Sequence, residues 1–222
     1  MFFLLACADE RAARPPTEEV SWSGYVYVSP GEATDETQFS DGSVYFLPEG
    51  GGAVPATQPY PDYPGYWTVA LPRDVPTAIH IAGPTLYPSI WAADAPHASG
   101  QWFPGALFGA SRTFVDEWFT ALRVEGIQPF EDGVVHVWGR PYDPTVWECA
   151  AIRVNDLPVA CFVEQEDGTM VRVNAGLFDS FYAFNLAPGE IRVDGGNGIA
   201  EIYDAVGGEL VYAFWLGAGE DG

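Results

Sequence analysis

From Trp22 onward, no run of alternating residues continues far before a glycine, a proline or an acidic turn interrupts it, and this punctuation restricts the fold most. Period-two alternation puts successive side chains on opposite faces of a strand, and frequent turn residues join such strands into antiparallel sheets. Residues 24–28 and 43–47 read as strands, the second stopped by Pro48, which has no N–H to give to a ladder. Residues 65–71, 78–83 and 88–93 follow at close spacing. Ser40-Asp41-Gly42, Glu49-Gly50-Gly51-Gly52 and Arg73-Asp74 supply turns in this half. The second half repeats the scheme with strands at 134–140, 150–154, 160–164, 181–186, 190–193, 201–203 and 210–216. The chain's 25 glycines and 19 prolines are spread without a period, which suits many turns better than a linker or a collagen-like repeat.

Between the halves, residues 113–123 read as a helix. Thr113 followed by Asp116 resembles a capping box, and Asp116 and Glu117 suit the positive helix end. Phe114, Trp118 and Leu122 fall on one face, widened by Val115 and Phe119; Arg123 suits the last turn, and Gly126 can stop it. A strand is the competing assignment for this segment. The expected organisation is a signal and tether at 1–19, a first β-sandwich at 20–110, a helical connector at 111–126 and a second β-sandwich at 127–222. A length of 222 residues, 48% apolar and 15% aromatic, supplies enough core for that and excludes a disordered chain.

An aromatic strand ending in a proline turn occurs in both halves, as Tyr66-Trp67-Thr68-Val69-Ala70-Leu71-Pro72 and as Tyr182-Ala183-Phe184-Asn185-Leu186-Ala187-Pro188-Gly189. With the strands around it, this layout resembles the carboxypeptidase-regulatory-like (transthyretin-like) β-sandwich, in bacterial lipoproteins that carry two such units around a helical connector. The resemblance implies an all-β fold of two tandem transthyretin-like or Ig-like sandwiches, modules that bind, space or stabilise rather than catalyse. In the first unit Asp74-Val75-Pro76-Thr77 stands where the pattern has a glycine turn.

Met1-Phe2-Phe3-Leu4-Leu5-Ala6-Cys7 ends like a lipobox, which makes Cys7 the expected lipidation site; the polar, Pro15-Pro16-containing stretch behind it suits a tether. A signal peptide also has a positive n-region and a longer apolar core, so this expectation includes residues upstream of Met1. The alternative is a cytosolic chain with an accidental Leu-Leu-Ala-Cys. The formal net charge is −22, with nine arginines and no lysine, so nucleic acid is repelled and an anionic membrane gains no polybasic attraction. No apolar run reaches the roughly 18–20 residues of a membrane-spanning helix. Membrane attachment is therefore expected only through the N-terminal lipid.

Cys149 and Cys161 fall on consecutive expected strands, opposite each other if a hairpin turns near Asn155, and an oxidising compartment favours a disulfide there. Two buried free thiols are the alternative. No metal site is expected, because no histidine or further cysteine lies at ligand spacing, and no cofactor is implied. His80 and His136 sit within alternating strands, at expected edge or core-rim positions, and His97 lies apart from both. The chain has no nucleophile elbow, zinc-protease motif, phosphate loop or dinucleotide fingerprint. Acidic turns around Asp35, Glu36 and Asp41, or Asp194-Gly195-Gly196-Asn197, offer oxygen ligands for calcium but lack the alternation of an EF-hand loop.

The segment least like ordinary core is Tyr60-Pro61-Asp62-Tyr63-Pro64-Gly65-Tyr66-Trp67. Its prolines hold it extended and out of a central strand, leaving Tyr60, Asp62, Tyr63, Tyr66 and Trp67 as candidate ligand-binding residues, for stacking on a sugar ring or gripping a peptide. Aromatics lidding the end of a sandwich are the alternative, and Trp91, Trp102 and Phe103 extend either one. The expected function is non-catalytic: an extracytoplasmic binding or structural module whose partner is a glycan or an envelope protein. Its rivals are a subunit pairing through a sheet edge and a glycan-acting hydrolase.

Overall fold

The computed structural model describes residues 18–29, 37–93, 95–103, 107–141, 148–195 and 200–216. Cys7, Asp35, Glu36, Gly196 and Asn197 lie outside them. The first half contributes β1 (Glu19–Tyr27), β2 (Ser43–Pro48), β3 (Val54–Pro55), β4 (Tyr66–Pro72), β5 (Thr77–Ala82), β6 (Leu86–Tyr87), β7 (Ser89–Ala93), β8 (Gln101–Trp102), β9 (Leu107–Phe108) and β10 (Ala110–Ser111). The helix α1 (Arg112–Ala121) follows. The second half holds β11 (Val135–Pro141), β12 (Arg153–Val154), β13 (Leu157–Pro158), β14 (Ala160–Glu164), β15 (Met170–Val173), β16 (Ser180–Leu186), β17 (Gly189–Asp194), β18 (Ala200–Ala205) and β19 (Leu210–Leu216). Apart from α1 and short 3₁₀ turns, the regular structure of the described residues is all β.

One nine-stranded sheet runs through both halves in the order β15-β14-β16-β11-β19-β7-β5-β2-β3. Its joint is β19, parallel to β11 on one side and to β7 on the other. Leu210, Val211, Tyr212 and Ala213 are all buried, the continuous apolar run of a strand covered on both faces. Alternation then divides the sheet between two cores. Leu210, Tyr212, Trp91, Trp138, Tyr182 and Phe162 belong to the core shared with Val115 and Phe119 of α1 and with the inward residues of β1 and β4. Val211, Ala213, Val137, Phe181 and Cys161 belong to the other, with Ile191, Val193 and Tyr203 from the small sheet β13-β12-β17-β18. The cores lie on opposite faces of one sheet. Gly139 is required at the centre of β11, because a Cβ there would stand 2.0 Å from Cζ of Phe181, whose ring crosses it.

The helix forms one residue earlier than expected, and its capping box is not made: Ser111 occupies the N-cap without a side-chain hydrogen bond. It ends where Arg123 turns left-handed (φ 53°), ahead of Gly126 at φ 79°. Its apolar face is the expected one. In the first-half turn that lacks glycine, Asp74 takes the left-handed conformation itself at φ 58°, which aspartate tolerates better than most residues.

The strand expected at 150–154 is shorter. Cys149–Ala151 is a 3₁₀ turn, and only Arg153 and Val154 pair, turning tightly through Asn155 and Asp156, both left-handed (φ 49° and 64°). The cysteines are therefore not hairpin partners. Cys149 reaches Cys161 of β14 from the 3₁₀ turn, with Cα atoms 6.0 Å apart, and a disulfide joins them. The bridge closes a loop with a sequence separation of 12, so loop-closure entropy assigns it about 3 kcal/mol. Urea unfolding of the Cys149→Ala/Cys161→Ala double variant is expected to show that loss, and an unchanged midpoint would refute it.

Both strand histidines lie deeper than the expected rim. His136 is fully buried; its Nε2–H donates to the Gln128 carbonyl (3.0 Å) and its Nδ1 accepts from the Asn185 N–H (3.3 Å). Asn185 completes the clamp, accepting from the Gln128 N–H and donating to the Gly126 carbonyl (2.8 Å each). Burial lowers the His136 pKa from 6.5 to about 4, against a smaller upward pull from the Gln128 carbonyl. The folded state therefore resists a proton that the unfolded chain accepts, and stability falls as pH drops from 6.5 towards 4. Between pH 7 and pH 5 this histidine is expected to cost about 2 kcal/mol. His136→Gln should remove that part of the pH dependence in parallel denaturation curves; equal slopes for both proteins would disprove it.

Candidate ligand-binding surface

The strands β4, β1 and β8 form a small sheet, with β9 also on β1, over the first core. In β1, Val20, Trp22 and Val26 point inward, so Tyr25 and Tyr27 point outward. In β4, Trp67, Val69 and Leu71 point inward and Tyr66 outward. The antiparallel register sets Tyr25 directly opposite Tyr66. On the other side of β1, β8 runs parallel and brings Trp102 beside Ser23.

The segment before β4 adds Tyr60 and Tyr63. The Tyr63 N–H donates to the Tyr60 carbonyl (3.1 Å), and the Tyr66 N–H donates to the Tyr63 carbonyl (3.2 Å), which makes two successive turns. Gly65 lets the chain leave them. It sits at φ 76°, and a Cβ there would stand 2.7 Å from Cβ of Gln38.

The outcome is a continuous aromatic surface. Trp102 stacks on Tyr25 at 6.4 Å between ring centroids, Tyr25 meets Tyr66 at 5.3 Å, Tyr66 meets Tyr60 at 5.9 Å, and Tyr60 meets Tyr63 at 6.0 Å. Trp102 also meets Tyr66 edge-on at 6.0 Å, and Tyr27 with Phe108 extends the row beyond Tyr25. Tyr60, Tyr63 and Trp102 are 55%, 58% and 60% exposed, too open for a lid that seals a core. Asp62 is exposed on the same turn and has no hydrogen bond or ion pair among the described residues, so its carboxylate can accept from a ligand hydroxyl.

Of the candidate residues, Tyr60, Asp62, Tyr63 and Tyr66 come together on this surface. Trp67 does not: it is buried, stacks on Phe39 at 6.0 Å, and its indole N–H donates to the Phe39 carbonyl (3.0 Å). Strand alternation puts it on the opposite face from Tyr66. Trp91 and Phe103 are likewise core residues, and Trp102 alone of that group faces outward. Tyr25 was within reach of sequence reasoning, since it alternates with Val26. The position of Trp102 depends on a parallel pairing between residues far apart in the chain, for which the sequence holds no local signal.

The described histidines do not converge. His97 bonds Asp74 at the surface (2.6 Å), whereas His80 and His136 are buried on separate strands. No group of three or more histidine, cysteine or acidic side chains among the described residues is arranged to hold a metal ion.

No protein-family model matches the chain, and no curated protein does. Among solved structures it is similar to the Bacillus anthracis TIE protein, at 11% identity over 88% of this chain and 34% of that one (TM-score 0.29). It is also similar to a Streptococcal ancillary pilin (8% identity, 89% of this chain and 68% of that one, TM-score 0.23). A third is the shaft pilin spaA from Lactobacillus rhamnosus GG (12% identity, 89% of this chain and 97% of that one, TM-score 0.25). The chain spans about a third of the length of the TIE protein. Likenesses at these TM-scores carry no argument about what the chain does.

Proposed function

We propose that this protein is a non-catalytic, extracytoplasmic binding module, held to the cell envelope by a lipid on Cys7, that docks neutral glycans on the aromatic surface of its first half. The observation that carries this reading is the exposed row Trp102–Tyr25–Tyr66–Tyr60–Tyr63, flanked by Asp62. Tyrosine and tryptophan rings offer rigid apolar faces for the C–H faces of sugars, with hydroxyl and indole N–H groups at their edges. The Cys149–Cys161 disulfide supports an oxidising compartment. A net charge of −22 keeps the molecule soluble and disfavours polyanionic ligands at this face. In this reading the shared sheet, with a core on each face, presents the surface rigidly. It runs through both 20–110 and 127–222, in place of the two separate sandwich units expected there.

Titration with cellohexaose, chitohexaose and laminarihexaose, followed by tryptophan fluorescence, tests it. At least one is expected to bind saturably. Trp102→Ala and Tyr66→Ala should each weaken binding about tenfold or more, and Trp91→Phe, inside the core, should leave it unchanged. Absence of binding across the set, or binding indifferent to both alanines, would remove the glycan reading. An intact mass starting at a diacylated Cys7, from native membranes, tests the anchor; an unmodified chain retaining Met1 would overturn it.

A second reading is favoured by β18. Among the described residues it pairs only with β17, at the end of the small sheet, and Ile202 on it is exposed. Pairing of that edge with another envelope protein is the corresponding function.

A further inference from the structure

The second half holds a cavity of about 540 Å³ whose charge is opposite to that of the molecule. It opens beside β14 and β15, its accessible apolar lining includes Leu157, Val159 and Phe184, and its polar lining is Arg153, Arg172 and Asn174. No described carboxylate lines it, in a chain with 31 acidic residues. Arg73, Arg112 and Arg192 are each paired with an acid elsewhere. Among the described residues Arg172 has no hydrogen bond or ion pair, and Arg153 is held only by backbone: one Nη1 donates to the carbonyls of Ala150 (2.7 Å) and Ile152 (2.8 Å). That anchoring fixes the guanidinium plane and leaves its Nε and Nη2 donors free for a ligand. Arg172 also borders a neighbouring cavity of about 590 Å³, whose charged lining adds Arg123 and Glu125.

We propose that this cavity binds an amphipathic organic anion, whose carboxylate or phosphate is gripped by Arg153 and Arg172 while its apolar body lies against Leu157, Val159 and Phe184. Guanidinium forks match either oxyanion bidentately, and a volume of this size suits a small molecule rather than a protein segment. Both features are needed: the arginines select charge, and the apolar lining selects a hydrocarbon body. The site lies in the opposite half from the aromatic surface and is independent of the glycan reading.

Calorimetric titration of the full chain with octanoate, octyl phosphate, octanol and acetate tests the proposal. One or both eight-carbon anions are expected to bind one-to-one, and octanol and acetate at least tenfold more weakly. The tighter of the two anions identifies the head group as carboxylate or phosphate. Arg172→Gln, on the surface, and Arg153→Gln should each weaken the anion about tenfold. Arg73→Gln and Trp102→Ala, both outside the cavity, should leave it unchanged. Failure of both anions to bind, octanol binding as tightly as octanoate, or an Arg172→Gln variant with wild-type affinity and an intact fold would overturn it.

Discussion

Replacing Glu209 with alanine is expected to lower the unfolding free energy by about 3–5 kcal/mol, the cost of breaking a buried charged hydrogen-bond pair from one side. Glu209 is 2% exposed and lies in the turn before β19, where the two halves join. Its Oε1 accepts from Nδ1 of His80 in β5 (3.2 Å), and its Oε2 accepts from the Val206 N–H (2.8 Å). His80 is stacked in turn against Tyr45, with rings 4.7 Å apart and 6° from parallel. Burial raises the Tyr45 pKa, and the Glu209 charge raises it further. Alanine at 209 leaves the His80 donor in an apolar site without its acceptor. Glu209→Gln keeps one acceptor and should lose less. A double-mutant cycle with His80→Ala separates the pair from its surroundings. A Glu209→Ala loss below about 1 kcal/mol, the size of an ordinary exposed contact, would show that the pair does not hold the joint.

Trp138→Ala is expected to be of the same order, about 3–5 kcal/mol, through cavity formation. Trp138 is 1% exposed at the centre of β11, and the rings that close on it include Trp118 at 5.3 Å, Phe114 and Tyr182 at 5.8 Å each, and Tyr212 at 6.0 Å. Phe114 and Trp118 are one helical turn apart on α1, so this stack fastens the helix to the sheet; Trp118 also donates its indole N–H to the Tyr182 hydroxyl. The stacked tryptophans should give a strong near-ultraviolet dichroism that collapses in Trp138→Ala. Trp138→Phe keeps most of the buried volume and should cost much less. Equal losses from the two substitutions would mean that ring size at 138 is not what the helix rests on.

Much of this architecture was legible in the chain. The turn residues and period-two runs marked most of the longer strands, because turn geometry and strand alternation are local properties. The apolar spacing of Phe114, Val115, Trp118 and Phe119 marked α1, although its cap did not follow the expected pattern. The cysteine pair was legible as a pair, but its geometry was not, since the 3₁₀ turn at Cys149 depends on how residues 149–151 settle over β14. At the aromatic surface, Tyr66 and Trp67 were grouped on adjacency alone, and adjacency in a strand means opposite faces.

Local pattern in the chain was therefore enough for the β character, the turns, the helix and the aromatic residues on a turn kept out of the strands by proline. Long-range packing decided that β19 runs parallel between β7 and β11, that the cores occupy opposite faces of one sheet, and that Trp102 joins Tyr25. It also decided that Arg153 and Arg172 share a cavity free of described carboxylates. These are contacts between residues distant in the chain. Their free energy comes from surfaces that meet only after folding, so no local pattern encodes them.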